Sequence, residues 1–426
     1  MPGLPPFFFG GPGAPGGPAG GGFDPANFDF SQIDLNQVMR ILQSTGPVNW
    51  EVARQTAEGV ALEGRPEQSI SAADRSQFEE LAHAAQTLVV GETGLTATFA
   101  TTPTTVGPKG WVDLHLVAFK PVLEAMATTL GAAMQPGEDD PDAGPDALTD
   151  LPGLSGTPFA AMAGLPGMGN MMSMLAPALL GVQAGSMIGY LAQHALGRYD
   201  LPLPTSDAPS LCFVVENIDT FESEWSLPRD DLRFYVALHE TVHAATRSVP
   251  WVRERLVELA TRYVSNYEID PSAFEAEFGM IDVQDPEALQ QLTANPERVL
   301  GAMQSARQVA PRDELQRLTS VLEGYADHVL GLVGHRLIPT FDQIHEAMQR
   351  HRVERGEAER FIEGLLGLKL ERAHYERGQA FVDGVVERAG LDGLNRLWDE
   401  PTMLPTPNEL DAPGLWLARI DLPDPD

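Results

Sequence analysis

The sequence predicts a mainly α-helical fold, of the α+β class, in which one short strand comes before a central helix. Apolar residues recur at the three- and four-residue spacing of amphipathic helices over much of 31–134 and most of 227–395. Asn49 and Ser71 stand where two of these helices begin, and both residue types are preferred N-caps. The best strand candidate is LCFVVENI, residues 211–218, which is rich in β-branched and aromatic residues.

Composition shifts along the chain predict its organisation. Pro and Gly dominate the first residues at a density that holds neither a helix nor a strand. A second Pro/Gly-rich stretch is strongly acidic, as in a linker or a long surface loop. The predicted regions are a disordered tail (1–29), an N-terminal helical region (30–134), an acidic linker (135–157), a main region (158–418) and a C-terminal tail (419–426).

The charge and the cysteine count exclude several classes of function. The 426 residues include 60 acidic and 28 basic residues, for a formal net charge of −32. Such a chain repels nucleic-acid backbones and anionic membrane surfaces, so neither is an expected partner. Cys212 is the single cysteine, which excludes a disulfide within the chain. The N-terminal residues do not resemble a secretory signal, and a cytoplasmic location is expected.

One stretch, which begins in the predicted linker and continues into the main region, carries no charge. Residues 151–197 contain no Asp, Glu, Lys or Arg, and their apolar part is long enough to span a bilayer. Gly181, Gly185 and Gly189 follow the small-residue spacing seen in closely packed membrane helices. Pro177 and several polar side chains dilute the stretch, however. We therefore expect a buried core helix with close backbone approach at the glycines, in preference to a membrane span.

The residues that indicate chemistry form the sequence H-E-x-x-H at His239, Glu240 and His243. Residues four apart share one face of a helix, so both imidazoles can point at one zinc ion. Glu240 then lies beside the open coordination position, where a carboxylate can act as the general base toward the metal-bound water. The alternative is a core helix whose two histidines are satisfied by other protein groups.

A catalytic zinc site with two histidines needs a third protein ligand. The longer motif that would supply a third histidine is absent, since Thr246 stands where its glycine would be. A downstream helical segment, 314–337, contains Glu323 and Asp327 on one face. Glu323 could bind zinc while Asp327 accepts a hydrogen bond from the far nitrogen of a ligand histidine. His328 competes with Glu323 but lies on another side of the helix, and Glu323 is favoured.

Hydrolysis also needs a group that stabilises the oxyanion. Tyrosine, histidine and arginine commonly do this, and several such residues follow the predicted third ligand. Tyr325, His328 and Tyr375 are among the candidates, and the sequence does not choose between them.

The sequence resembles a family of zincin-like proteins of GC-rich bacteria, described as zinc-dependent metalloproteases or hydrolases, of the type whose third ligand is a glutamate. The resemblance extends over about residues 45–418 and covers nearly the whole predicted folded chain. It rests on TGPVNWEVARQ (45–55), GYLAQHALGRYDLPLP (189–204), FVVENI (213–218), ALHETVHA (237–244), LEGYADHV (322–329) and GLNRLWDEPTMLPTPNEL (393–410).

The resemblance implies a mainly helical zincin-like fold with Zn²⁺ bound by His239, His243 and Glu323 and with Glu240 as base. It also implies a metallopeptidase whose substrate is a peptide or protein. The alternative is a catalytically silent zincin fold that binds a partner, because such scaffolds can lose activity. The sequence leaves the oligomeric state open.

Overall fold

The structure is a computed structural model of the full chain. It describes residues 46–95, 103–133, 168–201, 204–205, 208–268, 304–353 and 357–422. The predicted tail 1–29 and the predicted linker 135–157 lie outside these residues.

The described residues are mainly helical, as the sequence predicts, with a single two-stranded parallel sheet. The strands are β1 (Thr104–Val106) and β2 (Cys212–Val214). The helices are α1 (Trp50–Leu62), α2 (Ala72–Thr93), α3 (Pro108–Ala133), α4 (Met168–Ala192), α5 (Val215–Trp225), α6 (Arg229–Arg247), α7 (Pro250–Val264), α8 (Val309–Leu337), α9 (Phe341–Val353), α10 (Glu357–Leu365), α11 (Arg372–Asn395), α12 (Pro407–Asp411) and α13 (Pro413–Ile420).

Two of the predicted helix starts are capped as expected. The side chain of Asn49 accepts a hydrogen bond from the backbone N–H of Val52 at the start of α1. Ser71 accepts one from the N–H of Asp74 at the start of α2. At the other end of the chain, α13 extends to Ile420, so the first two residues assigned to the C-terminal tail are helical.

The strand predicted over 211–218 is correct only in part. Cys212–Val214 form β2, but α5 begins at Val215. The reason is that Val215, Ile218 and Phe221 continue at helical spacing and are all buried on one face of α5. The partner strand β1 was not anticipated, since its three residues are too few to show a period. It pairs in parallel with β2, with Thr104 beside Cys212.

The uncharged stretch forms α4, which packs along α1. A Cβ added at Gly181, Gly185 or Gly189 would lie only 2.3–2.5 Å from a backbone carbonyl oxygen of α1 or of its N-cap residue. This is the close backbone approach that the glycine spacing predicts. Among the helices that the structure describes, none is long and apolar enough to cross a membrane.

Helix α6 lies at the centre of the fold and carries the H-E-x-x-H residues. Every residue from Tyr235 to Arg247 is buried. The helix packs against α2, α8 and α9, and its neighbours α5 and β2 also contact it. The N-terminal helices therefore contribute directly to the surroundings of the motif.

Cys212 offers a simple test of this core. Its side chain is fully buried in β2, and burial raises the pKa of the thiol far above its ordinary value, with a further contribution from Glu240. Because the thiolate is the reactive form, we expect a maleimide to leave the native protein unlabelled at neutral pH. The unfolded protein should take up one label per chain, read by mass spectrometry. Rapid labelling of the native protein would contradict the buried position of β2.

Candidate metal centre

Helix α6 brings His239, Glu240 and His243 together in a nearly closed interior. Their exposed fractions are 4%, 0% and 0%. The two imidazole rings share one face of the helix, as predicted, with their centroids 4.5 Å apart. In such a buried site an unpaired polar group costs free energy of folding, so each polar contact contributes to stability.

Glu323 reaches the same place from α8. Its Oε1 lies 3.9 Å from Nε2 of His243, and its exposed fraction is 3%. That Nε2 is buried and has no hydrogen-bond partner among the described residues. Two donors bound to one tetrahedral zinc are about 3.4 Å apart, so the observed spacing suits a pair of ligands after a small adjustment. His243 and Glu323 therefore fit a shared ion.

The third predicted ligand, His239, lies near the other two but does not converge with them on one point. Nδ1 of His239 lies 3.8 Å from Oε1 of Glu240. In the part of the chain that the structure describes, no three His, Cys, Asp or Glu side chains converge as a metal site in their present rotamers. The predicted roles of His239, His243 and Glu323 as ligands thus stay predictions, supported by the position of two of them.

The carboxylate of Glu240 is held by the segment that follows α4. The backbone N–H of Arg198 donates to Oε2 at 2.8 Å, and the N–H of Tyr199 donates to Oε1 at 2.9 Å. An ionised carboxylate has about four acceptor positions, so these two bonds leave at least one acceptor position open on each oxygen. Glu240 is therefore fixed in place while keeping acceptor capacity.

Other elements position this segment in turn. Gly197 forms an antiparallel bridge with Phe213 of β2, and the N–H of Val214 donates to the carbonyl of Leu196 at 2.9 Å. The indole N–H of Trp111, on α3, donates to the carbonyl of Gly197 at 2.8 Å. The place of Glu240 thus depends on an N-terminal helix and on β2 as well as on its own helix.

Arg247 contacts the second histidine of the motif. Its Nη1 lies 2.9 Å from Nδ1 of His243, and because arginine only donates, Nδ1 is the acceptor. If Nε2 of His243 held a metal, Nδ1 would carry the hydrogen, and Nη1 would then have to donate to another acceptor. The backbone carbonyl of His243, 3.4 Å from Nη1, is such an acceptor.

Arg352, on α9, contacts the predicted third ligand. Its Nη1 donates to Oε2 of Glu323 at 2.9 Å, and its Nη2 donates to both oxygens of Asp327 at 2.8 and 3.1 Å. The expected bond from Asp327 to a ligand histidine is therefore replaced by one to Arg352. The far nitrogen of His243 faces Arg247 instead.

The electrostatics follow from this burial and pairing. Burial lowers the pKa of His243 well below its ordinary value, with further contributions from His239, Arg247 and Arg352, so the ring is neutral as metal binding requires. Burial opposes the charge of Arg352, but Asp327 and Glu323 outweigh it and raise its pKa well above the ordinary value. Burial also raises the pKa of Tyr199 to about 12.

The three oxyanion candidates have different surroundings. The hydroxyl of Tyr325 donates to Asn395 at 2.8 Å, and its ring packs on Trp398. Nδ1 of His328, the competing third ligand, lies 3.3 Å from Asp383 on α11. The ring of Tyr375 lies under the guanidinium of Arg352, 5.4 Å from it. Of the three, Tyr375 contacts Arg352, which in turn contacts Glu323.

The sequence did not reveal the residues that contact and orient the predicted site residues. Arg247 could have been found, because it is four residues after His243 and so on the same face of α6. Arg352 gave no such signal. The segment 197–199 is part of the stretch 189–204 that carries the family resemblance, but its sequence does not indicate that it contacts Glu240, since it approaches the motif from another element. Their contribution became visible only from the packing.

The comparisons with known proteins agree with this architecture. Residues 48–417 match the family of zincin-like metallopeptidases, and the chain belongs to that family. It is also similar to a crystal structure from Chloroflexus aurantiacus described as "a putative hydrolase with a novel fold", with 27% sequence identity and a TM-score of 0.60. That match covers 88% of this chain and 99% of the other. No curated protein matches the chain.

Proposed function

We propose that this protein is a zinc-dependent hydrolase, specifically a metallopeptidase, with zinc held by His239, His243 and Glu323. The observation that carries the proposal is the buried Nε2 of His243, which has no partner among the described residues and faces Oε1 of Glu323 at 3.9 Å. Membership of a metallopeptidase family and similarity to a hydrolase support the class of reaction.

The chemistry would divide between the ion and Glu240. Bound zinc would polarise a carbonyl and would lower the pKa of its water to about 7. Glu240 takes the proton of the attacking water at a carboxylate oxygen and returns it to the leaving nitrogen. The backbone N–H groups of Arg198 and Tyr199 hold that carboxylate in position during both proton transfers. The near-complete burial of the motif keeps bulk water away from the reacting groups.

The proposal also covers the substrate, the partners and the cellular location of the protein. A peptide or protein is the substrate, as in the family's name. A net charge of −32 disfavours nucleic acid and anionic membranes as partners. The single, buried cysteine suits a reducing, cytoplasmic location.

Metal content tests the site directly. We expect about one zinc per chain in the purified wild type by mass spectrometry, and its loss in His239→Ala, because that change removes a ligand. His83→Ala is the matched control, since His83 is exposed on α2 and should leave the zinc in place. Absence of zinc from the wild type after zinc supplementation would overturn the proposal.

One observation favours a second function, a catalytically silent fold that binds a partner. Glu240, Glu323 and Asp327 all have protein hydrogen-bond donors in the structure, so their presence does not require turnover. A mixture of synthetic peptides incubated with the zinc-loaded protein separates the two functions. Cleavage that a chelator abolishes supports the peptidase, whereas intact peptides throughout support the silent fold.

A further inference from the structure

Arg352 lies between two carboxylates with different proposed roles. Glu323 is the proposed zinc ligand, and Asp327 is a supporting group. Its Nη1 donates to one oxygen of Glu323, Oε2, and leaves the other, Oε1, facing His243. Its Nη2 donates to both oxygens of Asp327. The exposed fractions of the Arg352, Glu323 and Asp327 side chains are 5%, 4% and 11%.

Each link in this arrangement restricts the next. The guanidinium is planar and rigid, so fixing Nη2 on Asp327 also fixes the direction of Nη1. Fixing Nη1 on Oε2 then sets the rotation of the Glu323 carboxylate. The ring of Tyr375 under the guanidinium, 5.4 Å away, further limits its movement. Glu323 is thereby held with one named oxygen toward His243.

We propose that Arg352 is a positioning residue for metal binding, which acts through Glu323 and is itself oriented by Asp327. This inference rests on the proposed function, because it assumes that Glu323 is a zinc ligand. In this inference Asp327 orients the carboxylate ligand through an arginine, whereas the sequence predicts that it orients a ligand histidine. Groups that orient a ligand in this way commonly change metal affinity by about 10- to 100-fold when removed.

Two physical effects oppose each other at Arg352, and they make the inference testable. The positive charge of the guanidinium repels a nearby zinc ion, so its removal alone would tighten zinc binding. Loss of the fixed Glu323 carboxylate would weaken zinc binding. We expect the loss of positioning to outweigh the relief of repulsion, because removal of Arg352 takes a charge-assisted donor away from each of the two buried carboxylates.

Zinc affinity measured by competition with a chromophoric chelator decides between these effects. We expect Arg352→Gln to weaken zinc binding by about 10- to 100-fold. Arg352→Lys keeps the charge but loses the fork, and an intermediate affinity is expected. Arg350→Gln is the matched control, since Arg350 lies two residues before Arg352 on α9, is 55% exposed and pairs with Glu346. It should match the wild type.

A double variant tests whether Arg352 acts through Glu323. In a Glu323→Gln background, adding Arg352→Gln should no longer weaken zinc binding, since the ligand to be positioned is already altered. The absorption spectrum of the cobalt-substituted protein gives a second readout, and it should change in Arg352→Gln but not in Arg350→Gln. If Arg352→Gln fails to fold, Asp327→Asn tests the same contacts, from Asp327 through Arg352 to Glu323. It should also weaken zinc binding.

The outcomes separate the inference from the function on which it rests. A wild type that binds no zinc overturns both. A wild type that binds zinc, with Arg352→Gln binding it equally or more tightly, overturns the inference alone. An effect of Arg352→Gln that persists undiminished in the Glu323→Gln background also overturns it, because Arg352 would then act by another route.

Discussion

Glu240→Gln is expected to abolish most hydrolysis while leaving zinc bound. The amide cannot take a proton from water, and loss of a general base commonly slows a reaction by about 10²- to 10⁴-fold. Zinc should remain, because His239, His243 and Glu323 are unchanged. The measurement is the rate of zinc-dependent peptide cleavage, with zinc per chain determined on the same sample.

The contacts of Glu240 add a second expectation for the same variant. Both of its oxygens accept backbone N–H bonds, from Arg198 and Tyr199. A glutamine has one oxygen, so its NH₂ group would face one of these donors, and a buried unpaired donor costs about 1–3 kcal/mol. Glu240→Gln should therefore also unfold at lower denaturant concentration than the wild type, and its activity must be measured where it is fully folded. Undiminished cleavage by folded Glu240→Gln would exclude Glu240 as the base.

The fold class and the motif were predictable from sequence because both depend on local spacing. The helical period gave the mainly α class, and the four-residue separation of His239 and His243 placed both rings on one face. The strand was overextended because β-branched residues such as Val215 suit both a strand and a buried helix face. Spacing alone could not separate the two over eight residues.

The surroundings of the motif could not be predicted in the same way. Arg352 is 109 residues after His243, and Gly197 is 46 residues before it. Nothing in the local sequence of either indicates that it approaches α6. Asp327 was placed on the correct helix, but its partner depended on a side chain from α9. A candidate ligand can thus be proposed from sequence more readily than the group that orients it.

Gly197→Ala should disturb the site without touching any predicted zinc ligand. An added Cβ would lie 2.4 Å from Cδ of Glu240, 2.5 Å from its Oε1 and 2.9 Å from the carbonyl oxygen of Cys212. Neither neighbour can easily give way, since Glu240 is held by two amides and Cys212 belongs to β2. Overpacking of this kind commonly costs about 1–3 kcal/mol, so the denaturant midpoint should fall.

The same substitution at an open helical position provides the control. Gly59 is exposed on α1 with no atom within 4 Å of an added Cβ, so Gly59→Ala should gain about 0.5–1 kcal/mol from helix propensity. In Gly197→Ala, relief of the clash would displace the Glu240 carboxylate, and cleavage should fall while zinc per chain stays near the wild-type value. A Gly197→Ala protein as stable and as active as the wild type would show that this segment does not determine the position of Glu240. A loss of zinc as well would show instead that the segment supports the histidines, and the link from Trp111 through Gly197 to Glu240 would have to be extended to them.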